Sequence, residues 1–216
     1  TETPVSTEAL NSEFLTYTKV DDAVAFTFQR EGKEFYVISF PTANKTWVYD
    51  TNLDAWYDWS SFDGLYTGRF LANNHAAVFS KNLVGDAKSG NIYELDNSTF
   101  TDNSQRITRK IFTTPLIFDT KRAIIRRLEI DVENNIAQQP GADGDDPQIV
   151  VRISRDGGFS WGNYFSIPAG QVGQYTRRAL RTRLGQGRRI VFELTMTDPV
   201  NWTLLGAWID VDVSER

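Results

Sequence analysis

Apolar positions alternate with polar ones along most of the chain, in short runs parted by turn-forming residues. Val24, Phe26 and Phe28 alternate with Ala25 and Thr27, and Glu31-Gly32 then turns the chain. Phe35–Phe40 is a continuous apolar run closed by Pro41, the pattern of a buried strand. Thr46–Asp50 and Ala55–Trp59, parted by Thr51-Asn-Leu-Asp54, complete four strands joined by short turns, the make-up of one antiparallel blade. Gly68–Ala72, His75–Phe79, Leu83–Asp86 and Gly90–Asp96 repeat the arrangement. Trp47-Val-Tyr-Asp50 aligns with the segment ending at Asp96, 46 positions later, a spacing that fits a propeller blade. A helical period occurs only near the start, where Leu10 and Phe14 share a face behind a Ser6 or Thr7 cap.

The second half carries longer strands. Ile107–Phe112, Leu116–Phe118 and Ala123–Val132 are followed by a turn-rich excursion over Gln138–Pro147. Ile149–Ile167 reads as strand, tight turn, strand. Tyr175–Leu184 is expected as a strand, Gly185-Gln-Gly187 as a turn, and Arg188–Met196 and Thr203–Val213 as the last strands. Six or seven strands in this stretch would make a β-sandwich or a sheet packed on the blades. The expected fold is therefore all-β: antiparallel propeller-type blades over residues 1–105, then a β-sandwich-like sheet region over 106–216, with one short N-terminal helix. Two blades cannot close a ring of ~4–8. That shortfall, with Thr rather than Met at position 1, predicts a piece from the C-terminal part of a longer protein.

Composition adds few constraints. Aromatic residues make up 13% of the chain, which favours sheet. With 0 Cys there is no disulfide framework and no thiolate chemistry. No apolar run approaches the ~20 residues of a membrane helix, and the first residues lack the basic stretch of a signal peptide. The net charge of −5 is uneven: residues 1–100 hold 7 Lys and Arg against 14 Asp and Glu, whereas the remainder holds 16 against 14. Two differently charged regions point to different partners for each.

Four groups of residues are candidates for chemistry. His75, the sole histidine, stands at the start of an apolar strand and reads as structural rather than as the base of a catalytic triad. No pair among the 28 acids stands out as a glycosidase pair. Asp143-Gly-Asp145-Asp146 has the look of a calcium loop, but Ser154 stands where the closing Glu would be needed, so the loop reads as solvated and no metal is expected. Ser154, Asp156, Gly158 and Trp161 fit the pattern Ser-x-Asp-x-Gly-x-x-Trp of an Asp box. In it a short carboxylate accepts hydrogen bonds from the turn's own amides, and glycines supply positive φ. Sialidase-type propellers carry this motif, as do proteins without enzymatic roles, so a glycan-cleaving or glycan-binding propeller fragment is the alternative reading. Finally, Arg177, Arg178, Arg181, Arg183, Arg188 and Arg189 crowd a segment without acids. Strand alternation places Arg177, Arg181 and Arg183 on one open face, with Leu180 and Leu184 on the other. Such a face is either a solubilising surface with cross-strand ion pairs, Glu193 being a candidate partner, or a contact for a polyanion or an acidic protein surface. Base-specific reading of DNA is not expected, for lack of a helix and with a pI near 5.0.

The ordered set of segments resembles the C-terminal region of phage packaged-DNA stabilisation proteins, the tail hub or nozzle components of short-tailed phages. The resemblance runs through Asp21–Phe26, Phe35–Ala43, Thr46–Asp50, Leu83–Asp86, Gly90–Asp96 and Arg126–Glu133. It continues through Ser154–Trp161, Arg181–Gly185, Arg189–Leu194, Thr197–Val200 and Leu205–Ala207. It implies a structural virion protein of the phage tail, made in the bacterial cytoplasm, that is not an enzyme and needs no cofactor. It further implies a homo-oligomer, a hexamer in the family, that meets portal, adaptor and other tail proteins. Such an assembly closes the head and portal channel and helps retain packaged DNA, with non-specific DNA contact and no membrane role. The Asp-box residues are then structural, and the arginine strand is the candidate contact surface.

Overall fold

The fold is that of a computed structural model, which describes residues 4–62, 67–119, 121–133, 138–174 and 178–213. It is all-β apart from one short helix, and every strand pairing within its sheets is antiparallel. The chain divides into two compact units, residues 1–97 and 98–216.

The first unit opens with α1 (Glu8–Phe14), capped by the Thr7 hydroxyl, which accepts the Leu10 amide at 3.2 Å. Leu10 is buried, and Phe14 packs on Phe40 with ring centroids 5.1 Å apart, so the expected helical face is the one used. Strands β1 (Val24–Arg30), β2 (Lys33–Phe40), β3 (Lys45–Asp50) and β4 (Ala55–Asp58) form one meander in sequence order, as the alternation predicts. Phe28, Phe35, Val37 and Val48 make its small core. The turn after β3 is fixed by Asp50, whose buried carboxylate accepts the amides of Asn52 (2.9 Å) and Leu53 (3.1 Å).

The second predicted group of four strands is built differently. β5 (Ser60–Phe62) pairs with β6 (Thr67–Arg69), while β7 (Ala72–Val78), β8 (Lys81–Asp86) and β9 (Ile92–Glu94) form a separate sheet of three. The segment beginning at Gly68 cannot join that sheet, because side chains of the first meander take its amides. Asn44 accepts the Arg69 amide at 2.9 Å, and Thr46 accepts that of Phe70 at 3.1 Å. No closed ring of blades forms among the described residues.

The second unit starts with the small hairpin β10 (Thr101–Asp102) and β11 (Gln105–Arg106). There follow β12 (Arg109–Phe112), β13 (Leu116–Ile117), β14 (Ala123–Val132), β15 (Gln148–Ser154), β16 (Phe165–Pro168), β17 (Ala179–Gly187), β18 (Arg189–Met196) and β19 (Leu204–Val213). One sheet runs β12-β18-β15-β16, with β13 also paired to β18; the other runs β17-β14-β19. A single core joins them: Ile125, Leu128 and Ile130 of β14 pack with Ile149, Val151 and Ile153 of β15 and with Ile190, Phe192, Leu194 and Met196 of β18. Strict alternation along β15 and β18 puts these side chains on the two inner faces, and along β14 it does so on either side of the register shift between Ile125 and Arg127.

β17 departs from the expected pattern. It continues through Gly185 and Gly187, where a turn is predicted, and the chain changes sheets at Arg188. Arg183 (φ 60) and Gly185 (φ 84) form a bulge, at which the pairing with β14 shifts between Ile125 and Arg127. The bulge resets the parity of the strand. Ala179 and Leu184 are buried, whereas Leu180 is exposed, so the two leucines lie on opposite sides rather than together.

Candidate functional site

The connection from β15 to β16 is a hairpin, with Ile149 opposite Ile167 and Val151 opposite Phe165, but residues 155–164 form a longer loop than the tight turn expected. Its first half is organised by two side chains. The Ser154 hydroxyl, buried at the end of β15, donates to Asp156 Oδ1 (2.7 Å) and accepts the Gly158 amide (2.8 Å). Asp156 also accepts the Ser160 amide (2.9 Å) and the Ser160 hydroxyl (2.5 Å). Gly157 and Gly158 adopt φ of 87° and 106°, which a side chain would resist. The Ser160 hydroxyl, then its amide, then the Ser154 hydroxyl hold the Asp156 carboxyl well below the usual carboxylate range. The carboxylate is thus spent on its own turn. Elsewhere His75 Nε2 bonds Asn82 Oδ1 at 2.9 Å and its ring stacks on Phe26, and Asp143 pairs with Arg106. Among the described residues no cluster of three His, Cys, Asp or Glu side chains fits a metal ion.

Trp161 serves the sheet rather than the turn. The Arg152 guanidinium lies over its ring at 4.6 Å and over Tyr164 at 4.9 Å, while Phe112 meets Trp161 edge-on at 5.9 Å. Under this cover Arg152 Nε donates to Glu193 Oε2 at 2.6 Å. Glu193 is fully buried; it also accepts the Thr195 hydroxyl at 3.2 Å, and Lys110 Nζ stands 3.7 Å away. Arg152 and Glu193 are direct cross-strand partners of β15 and β18. The arginines of β17 cannot reach Glu193 as the sequence suggested, because β17 belongs to the other sheet.

The structure sorts the arginines into two sets. On the outer face of the β17-β14-β19 sheet, Arg178 pairs with Glu129, Arg127 lies 3.8 Å from the same carboxylate, and Arg126 pairs with Asp212. The Arg178 hydrogen bond comes first among the causes that lower the Glu129 carboxyl's pKa. Arg181 and Arg183 belong to the other set. They line a groove of about 940 Å³ between β17 and the start of β16, together with Arg155, Asn163 and Phe165. Arg155 Nη2 donates across it to the Leu184 carbonyl at 2.8 Å, and Arg181 stacks on Phe165 at 5.3 Å. A smaller hollow of about 320 Å³ adjoins it through Arg155 and is lined by Arg122 and Arg188. Among the described residues, none of Arg122, Arg155, Arg181, Arg183 and Arg188 has a carboxylate within ion-pair distance. Arg189 is exposed at the start of β18, where its carbonyl accepts the Gly157 amide at 3.0 Å. Arg177 lies outside the described residues.

Turn, buried ion pair and groove all fall in one sandwich of two antiparallel sheets. Residues 109–212 match the family model of the bacteriophage P22 Gp10 β-sandwich. That family is a structural phage tail protein, and the match bears out the resemblance for the C-terminal region. No curated protein matches the chain. Within this sandwich, the sequence reveals the arginine strand but not its companions. Arg122 and Arg155 stand apart from the run and join it only through the fold. The Arg152–Glu193 pair was legible in principle, since an acid alternating with Phe192 and Leu194 faces away from the core and needs a cross-strand cation.

Proposed function

We propose that this chain is a structural component of a phage tail hub or nozzle, acting through protein contacts to close the portal channel and help retain packaged DNA. The match of residues 109–212 to the Gp10 β-sandwich carries this reading, and the ordered run of family-like segments through the first unit extends it. In this reading the first meander and the three-stranded sheet are propeller-type blades, completed by further blades of the same assembly. The protein works as a homo-oligomer, six copies by analogy with the family, against portal, adaptor and other tail proteins, without catalysis or cofactor. The Ser154–Trp161 turn is a structural staple. Its carboxylate is occupied by Ser154 and Ser160, so nothing there favours glycan chemistry.

Electron microscopy of particles labelled on this protein tests the reading. Density at the tail hub is expected, and particles lacking the protein should release their DNA. Label on the capsid shell, or a protein absent from particles, would overturn it.

A further inference from the structure

We infer that the groove beside β17 is a docking site for an acidic, extended protein segment. This rests on the contact role proposed above and names the chemistry of one partner. Three observations carry it.

The first is uncompensated charge. Arg178, Arg126 and Arg127 are set against acids, whereas Arg122, Arg155, Arg181, Arg183 and Arg188 face the two adjoining hollows with no acid among the lining residues. Five guanidinium groups at one place repel one another, and a ligand bearing negative charge relieves that repulsion. All five are arginine and none is lysine, which suits planar, two-point recognition of a carboxylate or phosphate.

The second is the backbone. β17 is the last strand of its sheet, and consecutive residues Leu180–Gly185 line the groove, so the free edge of the strand is what faces it. A free edge offers both amide donors and carbonyl acceptors. A phosphodiester chain can use the donors but leaves the carbonyls unmatched, whereas an extended peptide satisfies both by adding as a strand. The bulge at Arg183 limits that pairing to Leu180–Thr182, and beyond it Arg155 closes the groove by bonding the Leu184 carbonyl.

The third is complementarity within reach of an assembly. Residues 1–100 carry 14 acids against 7 bases, most of the described acids outside strands, so acidic segments are at hand on other copies of the same chain.

The probe is a fluorescein-labelled, end-blocked peptide of alternating Val and Asp, which puts every carboxylate on one side of an extended chain. It is titrated against the full chain by anisotropy, beside the Val-Lys counterpart and a short DNA duplex at the same salt. Saturable micromolar binding of the Val-Asp peptide is expected, weakened about tenfold or more in the Arg181→Ala, Arg183→Ala double variant. Arg155→Ala should weaken it as well, and an unchanged urea midpoint will show that the variants are folded. Hydrogen exchange should slow at the outward amides of Leu180–Thr182 when the peptide is present. No saturable binding up to millimolar peptide, or equal binding of the Val-Lys peptide, would overturn the inference. Tighter binding of the duplex without amide protection would also overturn it and make the groove a phosphate site. This binding is read on the isolated chain and the tail role on particles, so either can fail alone.

Discussion

At the scale of single residues, the two acids that matter most have opposite surroundings. Asp156 is exposed but held by three hydroxyl and amide donors that keep its carboxyl ionised. Its pKa is lower in the folded chain than in the unfolded one, so between the two values the unfolded state binds more protons and stability rises with pH. The contribution is complete above the unfolded value of ~3.9 and is lost as pH falls through the depressed folded value. An acid titration followed by Trp fluorescence should therefore show the wild-type hairpin losing stability below that point. Asp156→Asn should be less stable at neutral pH, and its curve should be flatter below ~3.9, where the wild type loses the contribution. Glu193 is the buried counterpart, compensated chiefly by Arg152. Arg152→Ala leaves a buried carboxylate without its main partner and should cost about 3–5 kcal/mol in urea denaturation. Replacing both partners, Arg152→Met with Glu193→Leu, should return stability near the wild-type value, because both desolvation costs vanish together.

At the scale of elements, β17 shows how one residue re-aims a strand. Gly185 sits at φ 84, and a Cβ there would meet the Arg155 guanidinium at 3.0 Å. Gly185→Ala should destabilise the sandwich by about 1–2 kcal/mol, from backbone strain and the displacement of Arg155. The same variant should weaken peptide binding in the groove, a readout that separates it from a purely local loss of stability. This strand also marks the limit of what the sequence made legible. Where alternation was unbroken, as in β1 to β4, β15 and β18, strands and core faces followed directly from it, whereas in β14 the shift between Ile125 and Arg127 puts Ile125 rather than Ile124 in the core with Leu128 and Ile130. Through Thr182–Gly185 the alternation of Arg and Leu looked regular, yet the bulge shifted it, so Leu184 turns into the core while Leu180 stays exposed, although Arg181 and Arg183 still line one groove. The glycines at 185 and 187 were equally compatible with a turn and with a bulge, and only pairing with β14 selects between them. The segment from Gly68 failed for another reason. Its amides are claimed by the side chains of Asn44 and Thr46, contacts that no local pattern encodes.

At the scale of the whole molecule, the two units differ in how they are held together. The second has a continuous core spanning both sheets, with Ile125, Ile130, Ile149, Val151, Ile190 and Met196 fully buried. The first has a core cluster of four residues, with Leu10, Phe40, Ala72 and Val84 buried outside it, and leaves Ile92 of its three-stranded sheet 72% exposed. Small cores are marginal without additional burial. The leading segment of the second unit is fastened to it: Arg109 donates to the carbonyls of Asp198 and Val200 at 2.6 Å each, and Arg106 lies 3.2 Å from the Asp198 carboxylate. A cut at residue 98 preserves these bonds, whereas a cut at residue 113 removes β12 and exposes the edge of β18. Residues 98–216 expressed alone should therefore unfold in urea as one cooperative transition with the near-ultraviolet signal of ordered Trp161 and Trp202. Residues 113–216 should show a lower midpoint and a shallower transition. Residues 1–97 alone should unfold at lower urea than 98–216, since a connected cluster of only four buried apolar side chains, with Leu10, Phe40, Ala72 and Val84 buried apart from it, offsets less of the entropy of ordering that unit. Equal midpoints for the two units would show that the first gains stability from something other than its core.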